Sequence, residues 1–474
     1  MRPRFEWTEE EVRRALDLGS ADGSGYRFSQ VSTDSRSLGR GALFVALRGP
    51  RFDGHRFVQD AVERGAGGVV VEEGTDVSAG EAPTFRVPDT LVALGRLARH
   101  RRRRAGWTVV GVTGSVGKTT AKELLGGALA TRFQVHATEG NRNNRVGLPL
   151  TLLEAPLDCD LVVAEMGTNA PGEIELLVEV AEPEVGVLTT VGEAHMEGLR
   201  SLDGVFREKL ALLAGLPPEG WAVVGDDPTD LPERARAVLP RVAVAGISER
   251  ADPEYRARDV VVEGDGTCRF QWKDLRVRMQ VPGWAGVKNA ALALATADRL
   301  GVEARDAVAA VEGVEAPALR GERRSIGGLT VLLDCYNANP PSVRAALTLL
   351  AHLPNADGRV AVLGSMLELG EGAAEWHRVI LQEALRLPFT LVVLVGDEFR
   401  AAWEDMEDEV AVGAGPEVVA VSGARDALPV LRRGLKGGEA VLLKGSRGMA
   451  LEELVPLLEA EYGAAVPPRS AGEE

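Results

Sequence analysis

Short apolar runs closed by glycine or polar turn residues recur along the chain, and most are followed by a longer amphipathic stretch. In the first hundred or so residues, Ala42 to Leu47 and Gly68 to Val71 read as strands and Leu91 to Arg99 as a helix, which predicts a small α/β unit. The alternation then becomes regular. Thr108 to Val112, Leu161 to Glu165, Val185 to Thr189, Trp221 to Val224 and Arg241 to Ala245 are strand-like, with helical segments between them. This predicts a mostly parallel sheet with helices on both faces. After Pro317 the pattern restarts with Leu329 to Asp334, Arg359 to Leu363, Leu391 to Val395 and Ala440 to Leu443, a second doubly wound unit. The fold class is therefore α/β, and the expected division is 1–104, 105–317 and 318–474. The tail after Tyr462 is expected to fray. In open parallel sheets ligands bind beyond the carboxyl ends of the strands, so the strand exits of both larger units are the places to look for chemistry.

Composition narrows the class. A chain of 474 residues exceeds what one core usually serves, and 45% hydrophobic content suits globular units, each with its own core. No apolar run is long enough to span a membrane, and the start, from Met1 to Trp7, has no apolar signal core, so a cytoplasmic protein is expected. A net charge of −16 argues against nucleic acid as a partner. The one basic run, His100 to Arg104, lacks aromatic interleaving and reads as a solvated linker. Cys159, Cys268 and Cys335 are too scattered for a metal or disulfide framework and are expected to be reduced core residues. Only seven of the 54 basic residues are lysine, which directs attention to Lys118, Lys209, Lys288 and Lys444.

The most informative segment follows the strand at Thr108. Gly111, Gly114 and Gly117 precede Lys118, Thr119 and Thr120, and a helix-like segment runs from Ala121 to Ala130. Backbone N–H groups of such a loop surround phosphate oxygens, the helix N-terminus adds partial positive charge, the lysine reaches the outer phosphates and the following hydroxyl can ligate magnesium. Thr113, Gly114, Ser115, Val116, Gly117, Lys118, Thr119 and Thr120 are thus the expected ATP-binding residues. Glu165 leaves an apolar strand, which suits a magnesium ligand, although such a residue can also cap the next helix. His195 follows the next strand exit and is a candidate ligand by position, although a lone histidine is more often packed or exposed.

The glycine spacing, Thr-Gly-x-x-Gly-Lys-Thr-Thr, departs from the commonest phosphate loop and resembles that of the Mur ligases and folylpolyglutamate synthases, which join an amine to an ATP-activated carboxylate. The order of this loop, Glu165-Met-Gly, Ala194-His-Met-Glu-Gly198 and then Lys209 is similar to the Mur ligases. The resemblance implies a three-domain architecture with a central P-loop ATPase domain and a C-terminal Rossmann-like domain. It implies that Lys209, on residue chemistry alone a solvated helix lysine, is carbamoylated, and that Thr119, Glu165, His195 and Lys209 hold two magnesium ions, with Lys118, Glu165, His195 and Lys209 catalytic. It further implies that Ser32, Thr33, Asp34, Ser35, Arg36, Asp53, Asn141 and Asn144 meet a uridine-diphosphate substrate. Asn289, Arg320, Asp334 and Asn337 would meet the nucleotide, Arg320 and Asp334 when the third domain closes, and Asn339, Lys444, Ser446 and Arg447 would meet an incoming dipeptide. Lys288 and Leu292 stand where the family has His and Asn, so only Asn289 is carried over from that segment, and Ser365 stands where an Asp is often found.

The motifs around Asn141, Glu165 and Asp334 point within the family to a member that adds D-alanyl-D-alanine to UDP-N-acetylmuramoyl-tripeptide in peptidoglycan synthesis. A monomer is expected. Another Mur ligase, a folylpolyglutamate synthase, or a nucleotide-gated binding module remain the alternatives, and the third residue of the tripeptide, lysine or diaminopimelate, stays open.

Overall fold

The computed structural model describes residues 5–19, 25–49, 52–354, 356–406 and 415–463; most of the expected frayed tail, from residue 464, lies outside the described residues. The central sheet has six parallel strands in the order Val242–Ala245, Trp221–Gly225, Val185–Leu188, Thr108–Thr113, Leu161–Glu165, Val135–Ala137. Successive side chains of a strand point to opposite faces, so a run apolar at every position must be covered twice. Val109, Val162 and Ala164 enter one hydrophobic cluster, while Val110, Val112, Leu161 and Val163 enter the other. The helices Lys118–Ala130, Gly283–Arg299 and Ala304–Glu312 cover the second face.

The first face is covered by helices at Gly147–Glu154, Glu173–Ala181 and Leu202–Ala214, and its cluster runs on without a break into the N-terminal unit. That unit has four parallel strands, Val31–Ser32, Leu43–Val45, Gly68–Glu72 and Thr84–Val87, and its Leu43, Val70, Phe85 and Leu94 belong to the same cluster as Val109. The third sheet orders Glu322–Ile326, Leu329–Asp334, Ala440–Lys444, Arg359–Gly364, Leu391–Val395 and Glu417–Val421, parallel except for its first strand. It has its own clusters on its two faces. All three cysteines are buried and free of disulfides.

Two sequence expectations need correction. The basic run is no linker: it ends the helix Thr90–Ala105, which Asp89 caps by accepting from the N–H groups of Leu91 and Val92 and which stops at Gly106 with φ 68°. Arg102 is only 9% exposed and donates to the carbonyls of Ala181 (3.0 Å) and Glu182 (2.8 Å) and to the Glu184 carboxylate. Arg99 and Arg103 pair with Glu182. These cations thus close the C-terminal end of the Glu173–Ala181 helix, where unpaired carbonyls accumulate negative charge. The second correction is an antiparallel meander, Arg258–Val262, Cys268–Trp272 and Leu275–Met279, inside what reads as continuous strand–helix alternation. Its exposed arginines alternate with buried Phe270, Trp272, Val277 and Met279, which pack with the Gly283–Arg299 helix.

Candidate active site

The strand Thr108–Thr113 lies between Val185–Leu188 and Leu161–Glu165 and delivers its loop at the carboxyl end of the sheet. Two glycines there have no substitute. Gly114 has φ 147°, and a Cβ on it would sit 2.0 Å from Thr189 Oγ1; Gly117 has φ 85°, and its Cβ would sit 2.5 Å from Asn289 Oδ1. Both clashes come on top of a backbone region that L-residues avoid. Gly117 then starts the helix Lys118–Ala130, and no side chain caps its N-terminus, which leaves its N–H groups for an anion. Lys118 Nζ donates to the Gly114 carbonyl at 2.7 Å. Burial pushes its pKa down and Arg320 adds to that, while Glu165 and Glu368 oppose it.

Glu165 is 1% exposed and ends its strand beside this helix. Its Oε1 accepts from Asn143 Nδ2 (2.8 Å) and Thr119 Oγ1 (3.2 Å), whereas its Oε2 is buried with no partner. It does not cap the next helix: Glu173 serves the N–H groups of Asn169 and Ala170, and Glu208 those of Gly172 and Ile174. Glu208 also accepts from Thr168, so the helix Leu202–Ala214 is bolted to the Glu165 strand exit one residue before Lys209. Lys209 is 0% exposed and its Nζ has no hydrogen-bond partner. Burial first, and then Lys118, press its pKa well below the usual lysine range against the pull of Glu208, Glu173 and Glu165. The surroundings of Lys209 thus disfavour its charged form.

His195 follows the strand Val185–Leu188 and sits in a left-handed conformation, φ 54°. Its Nδ1 lies 2.9 Å from Oε2 of Glu368, a residue of the third domain. Burial lowers its pKa, the Glu368 contact opposes this, and Lys118 and Lys209 reinforce it.

A cavity of about 590 Å³ joins the loop to the third sheet, within the range of small-molecule sites. It is lined by Ser115 to Thr120, Asn289, Arg320, Asp334, Asn337 and Lys444, among others. The Arg320 guanidinium lies over the Tyr336 ring, 3.8 Å from its centroid. Asp334 and Lys444 are cross-strand neighbours at the carboxyl ends of adjacent parallel strands, so their side chains meet: Lys444 Nζ is 3.0 Å from Asp334 Oδ2 and donates to the Asn337 carbonyl at 2.8 Å. Lys444 thus joins the residues expected at the dipeptide to Asp334 and Asn337, two of those expected at the nucleotide. Ser446 Oγ accepts from the Leu367 N–H, Arg447 pairs with Glu452, and Asn339 caps the helix Pro340–His352 in a capping box with Ser342.

In the N-terminal unit, Asp34 is held down to about 2 by its hydrogen bonds to Arg36, and the Ser32 hydroxyl donates to the Asp34 carbonyl. Thr33 is half-buried and Ser35 buried in the same turn. Asp53 bonds His55, whose Nε2 accepts from the Glu72 N–H. Asn144 is spent on the N–H groups of Val146 and Gly147, and the Asn141 carbonyl accepts from the Asn143 N–H. Lys288 pairs with Asp227 at the rim of the cavity. Sequence reasoning missed Asn143, Glu208 and Glu368 as members of the site. Asn143 lies between Asn141 and Asn144, both expected at the substrate, whereas the other two act on residues far away in the chain.

Among the described residues no group of three or more His, Cys, Asp or Glu side chains converges on a point. The unpaired Glu165 Oε2 beside the Thr119 hydroxyl nevertheless fits a hard cation such as magnesium, which takes few protein ligands when phosphate oxygens supply the rest.

Fold and site define a phosphate-loop nucleotide enzyme whose cavity is shared between two parallel sheets. Family models for the Mur ligase family catalytic domain, the Mur ligase middle domain and the Mur ligase glutamate ligase domain match residues 27–102, 112–297 and 319–447. The chain is 35% identical over 433 residues to the UDP-N-acetylmuramoyl-tripeptide–D-alanyl-D-alanine ligase of Bacillus subtilis, covering 90% of this chain and 92% of that protein. It superposes on the MurF crystal structure from Acinetobacter baumannii with TM-score 0.85 at 29% identity, over 96% of this chain and 99% of that one. MurF from Thermotoga maritima in complex with ADP gives TM-score 0.80 at 27% identity, over 91% and 97%. The chain belongs to the Mur ligase family and is an ATP-dependent ligase.

Proposed function

We propose that this chain joins D-alanyl-D-alanine to the terminal carboxylate of UDP-N-acetylmuramoyl-tripeptide, with ATP as energy source, in peptidoglycan precursor synthesis. One observation carries the reading of its chemistry: a buried amine, Lys209, without a hydrogen-bond partner, held in the field of Lys118 and Glu165. A neutral amine is the form that adds carbon dioxide, and the resulting carbamate is an anion where an ammonium would repel cations. Thr119 and Glu165 would hold one magnesium ion, and carbamoylated Lys209 with His195 a second; such ions neutralise charge on the transferring phosphoryl group. Backbone N–H groups from Gly114 to Thr120 and the Lys118 ammonium orient the triphosphate for in-line transfer to the carboxylate. The acyl phosphate so formed is attacked by the dipeptide amine, and the tetrahedral intermediate expels phosphate to leave the amide.

The N-terminal residues Ser32 to Arg36 and Asp53, with Asn141 and Asn144, are assigned to the uridine-diphosphate substrate. Asn289, Arg320, Asp334 and Asn337 are assigned to ATP, and Asn339, Lys444, Ser446 and Arg447 to the dipeptide side; of these, Arg447 keeps the most exposed cation for its carboxylate. No helix among the described residues is long and apolar enough to cross a membrane, and we place the enzyme in the cytoplasm as a monomer. The test is ADP release by the purified protein with UDP-tripeptide, with and without D-alanyl-D-alanine. Sustained release should require both. Release that ignores the carboxylate substrate would point to a nucleotide-gated module, and release driven by a different amine would move the chain to another branch of the family.

A further inference from the structure

The third domain touches the central one at a small clasp beside the phosphate loop. Glu368 Oε2 lies 2.9 Å from His195 Nδ1, and one turn of backbone repeats the contact, with the Glu197 N–H donating to the Glu368 carbonyl at 3.2 Å. Both partners sit in an unusual conformation: His195 has φ 54° and Glu368 φ 64°, a left-handed region that non-glycine residues rarely adopt. Gly370 is needed for the approach, since its φ is 62° and a Cβ there would stand 3.0 Å from Glu197 Cα. Between the polar contacts, Met196 packs against hydrophobic clusters of both domains. The loop that carries Glu368 is pinned within its own domain, because the Met366 N–H donates to His377 Nε2 and the Leu367 N–H to Ser446 Oγ, each at 2.9 Å.

We propose that Glu368 is a positioning residue for the ligase site: seated with the third domain, it fixes His195 as the Nδ1–H tautomer and so leaves the Nε2 lone pair for the site. The inference rests on the reading that His195 serves that site. A carboxylate offers only acceptors, so the ring nitrogen facing it must donate, and a neutral imidazole then has its lone pair on the other nitrogen. A ligating histidine oriented by an outer carboxylate is a general device, but here the carboxylate comes from another domain, 173 residues along the chain. The site is then chemically complete only when the domains are seated together.

The experiment is two-bond ¹H–¹⁵N NMR of ¹⁵N-histidine-labelled, substrate-free protein. The chain has six histidines, and the His195 signals are assigned by their loss in His195→Gln. The wild type should show the Nδ1–H tautomer at His195. Glu368→Ala should shift it toward Nε2–H and lower kcat about 10–100-fold, with KM for the UDP-tripeptide within about twofold. Glu368→Gln, which keeps an acceptor of the same shape, should retain the tautomer and lie closer to wild type. A contact that merely packs the loop would leave the tautomer unmoved in Glu368→Ala. That result, an Nε2–H tautomer in the wild type, or an unchanged kcat in Glu368→Ala would overturn the proposal. The wild-type spectrum needs no substrate, so it is read independently of which amide the enzyme makes.

Discussion

The carboxyl ends of the two six-stranded sheets each bury a lysine, and they treat it in opposite ways. At the third sheet, Lys444 is 2% exposed and has both a counter-ion, Asp334, and a carbonyl acceptor. At the central sheet, Lys209 is equally buried and has neither. Burial alone therefore does not make a lysine reactive. A buried lysine with an ion-pair partner organises its neighbours, whereas burial without a partner disfavours the charged form and favours the nucleophilic amine.

The largest effect that sharpens this contrast is on turnover. Lys209→Ala should lose about 10²–10³-fold in ligation rate, the scale of removing one preorganised charge stabiliser. Formate or acetate at fixed ionic strength should restore part of it, and amines should not. Lys444→Ala should not respond to acids at all, and an equal rescue of both variants would erase the distinction. Next comes stability. Lys444→Met should cost about 3 kcal/mol, because Asp334 is left without its cation, and urea unfolding measures this. Lys209→Met should cost little or stabilise. Its pH dependence has a definite sign: the unfolded lysine keeps its proton up to its usual range while the folded one does not, so the unfolded state binds more protons in between. Wild-type stability relative to Lys209→Met should then rise with pH across that window, by up to about 1.4 kcal/mol per unit, in buffers free of carbon dioxide. A flat difference would mean that Lys209 stays charged. The smallest effect belongs to a third buried lysine, Lys122, which donates to the Thr138 carbonyl at 2.5 Å and pairs with the half-exposed Glu123. Lys122→Met should cost only about 1–2 kcal/mol, for one lost hydrogen bond to a charged group, without changing the response to acids.

The same contrast explains what could be read from the sequence. Strands buried on both faces announce themselves as apolar runs, and the phosphate loop announces itself because glycine spacing is dictated by backbone geometry. Lys209 carried no such mark: its helix reads as an ordinary amphipathic one, and its burial without a hydrogen-bond partner depends on elements packed over it from elsewhere in the chain. The misreading of Arg102 has the same root. A run of arginines looks solvated unless the carbonyls that receive it, some eighty residues away, are known. The meander from Arg258 to Met279 was hidden for another reason, since its arginine-rich exposed face weakens the apolar signal of the strands.

Gly114 and Gly117 have a consequence for selection. Any side chain at either position meets Thr189 or Asn289 and a backbone angle it cannot adopt, so at these two positions the loop presents main chain alone to phosphate. Neither glycine can be exchanged by point substitution without losing the loop. An inhibitor that draws its affinity from those N–H groups would therefore leave resistance to arise elsewhere, at the rim where side chains such as Lys288 and Asp227 line the cavity.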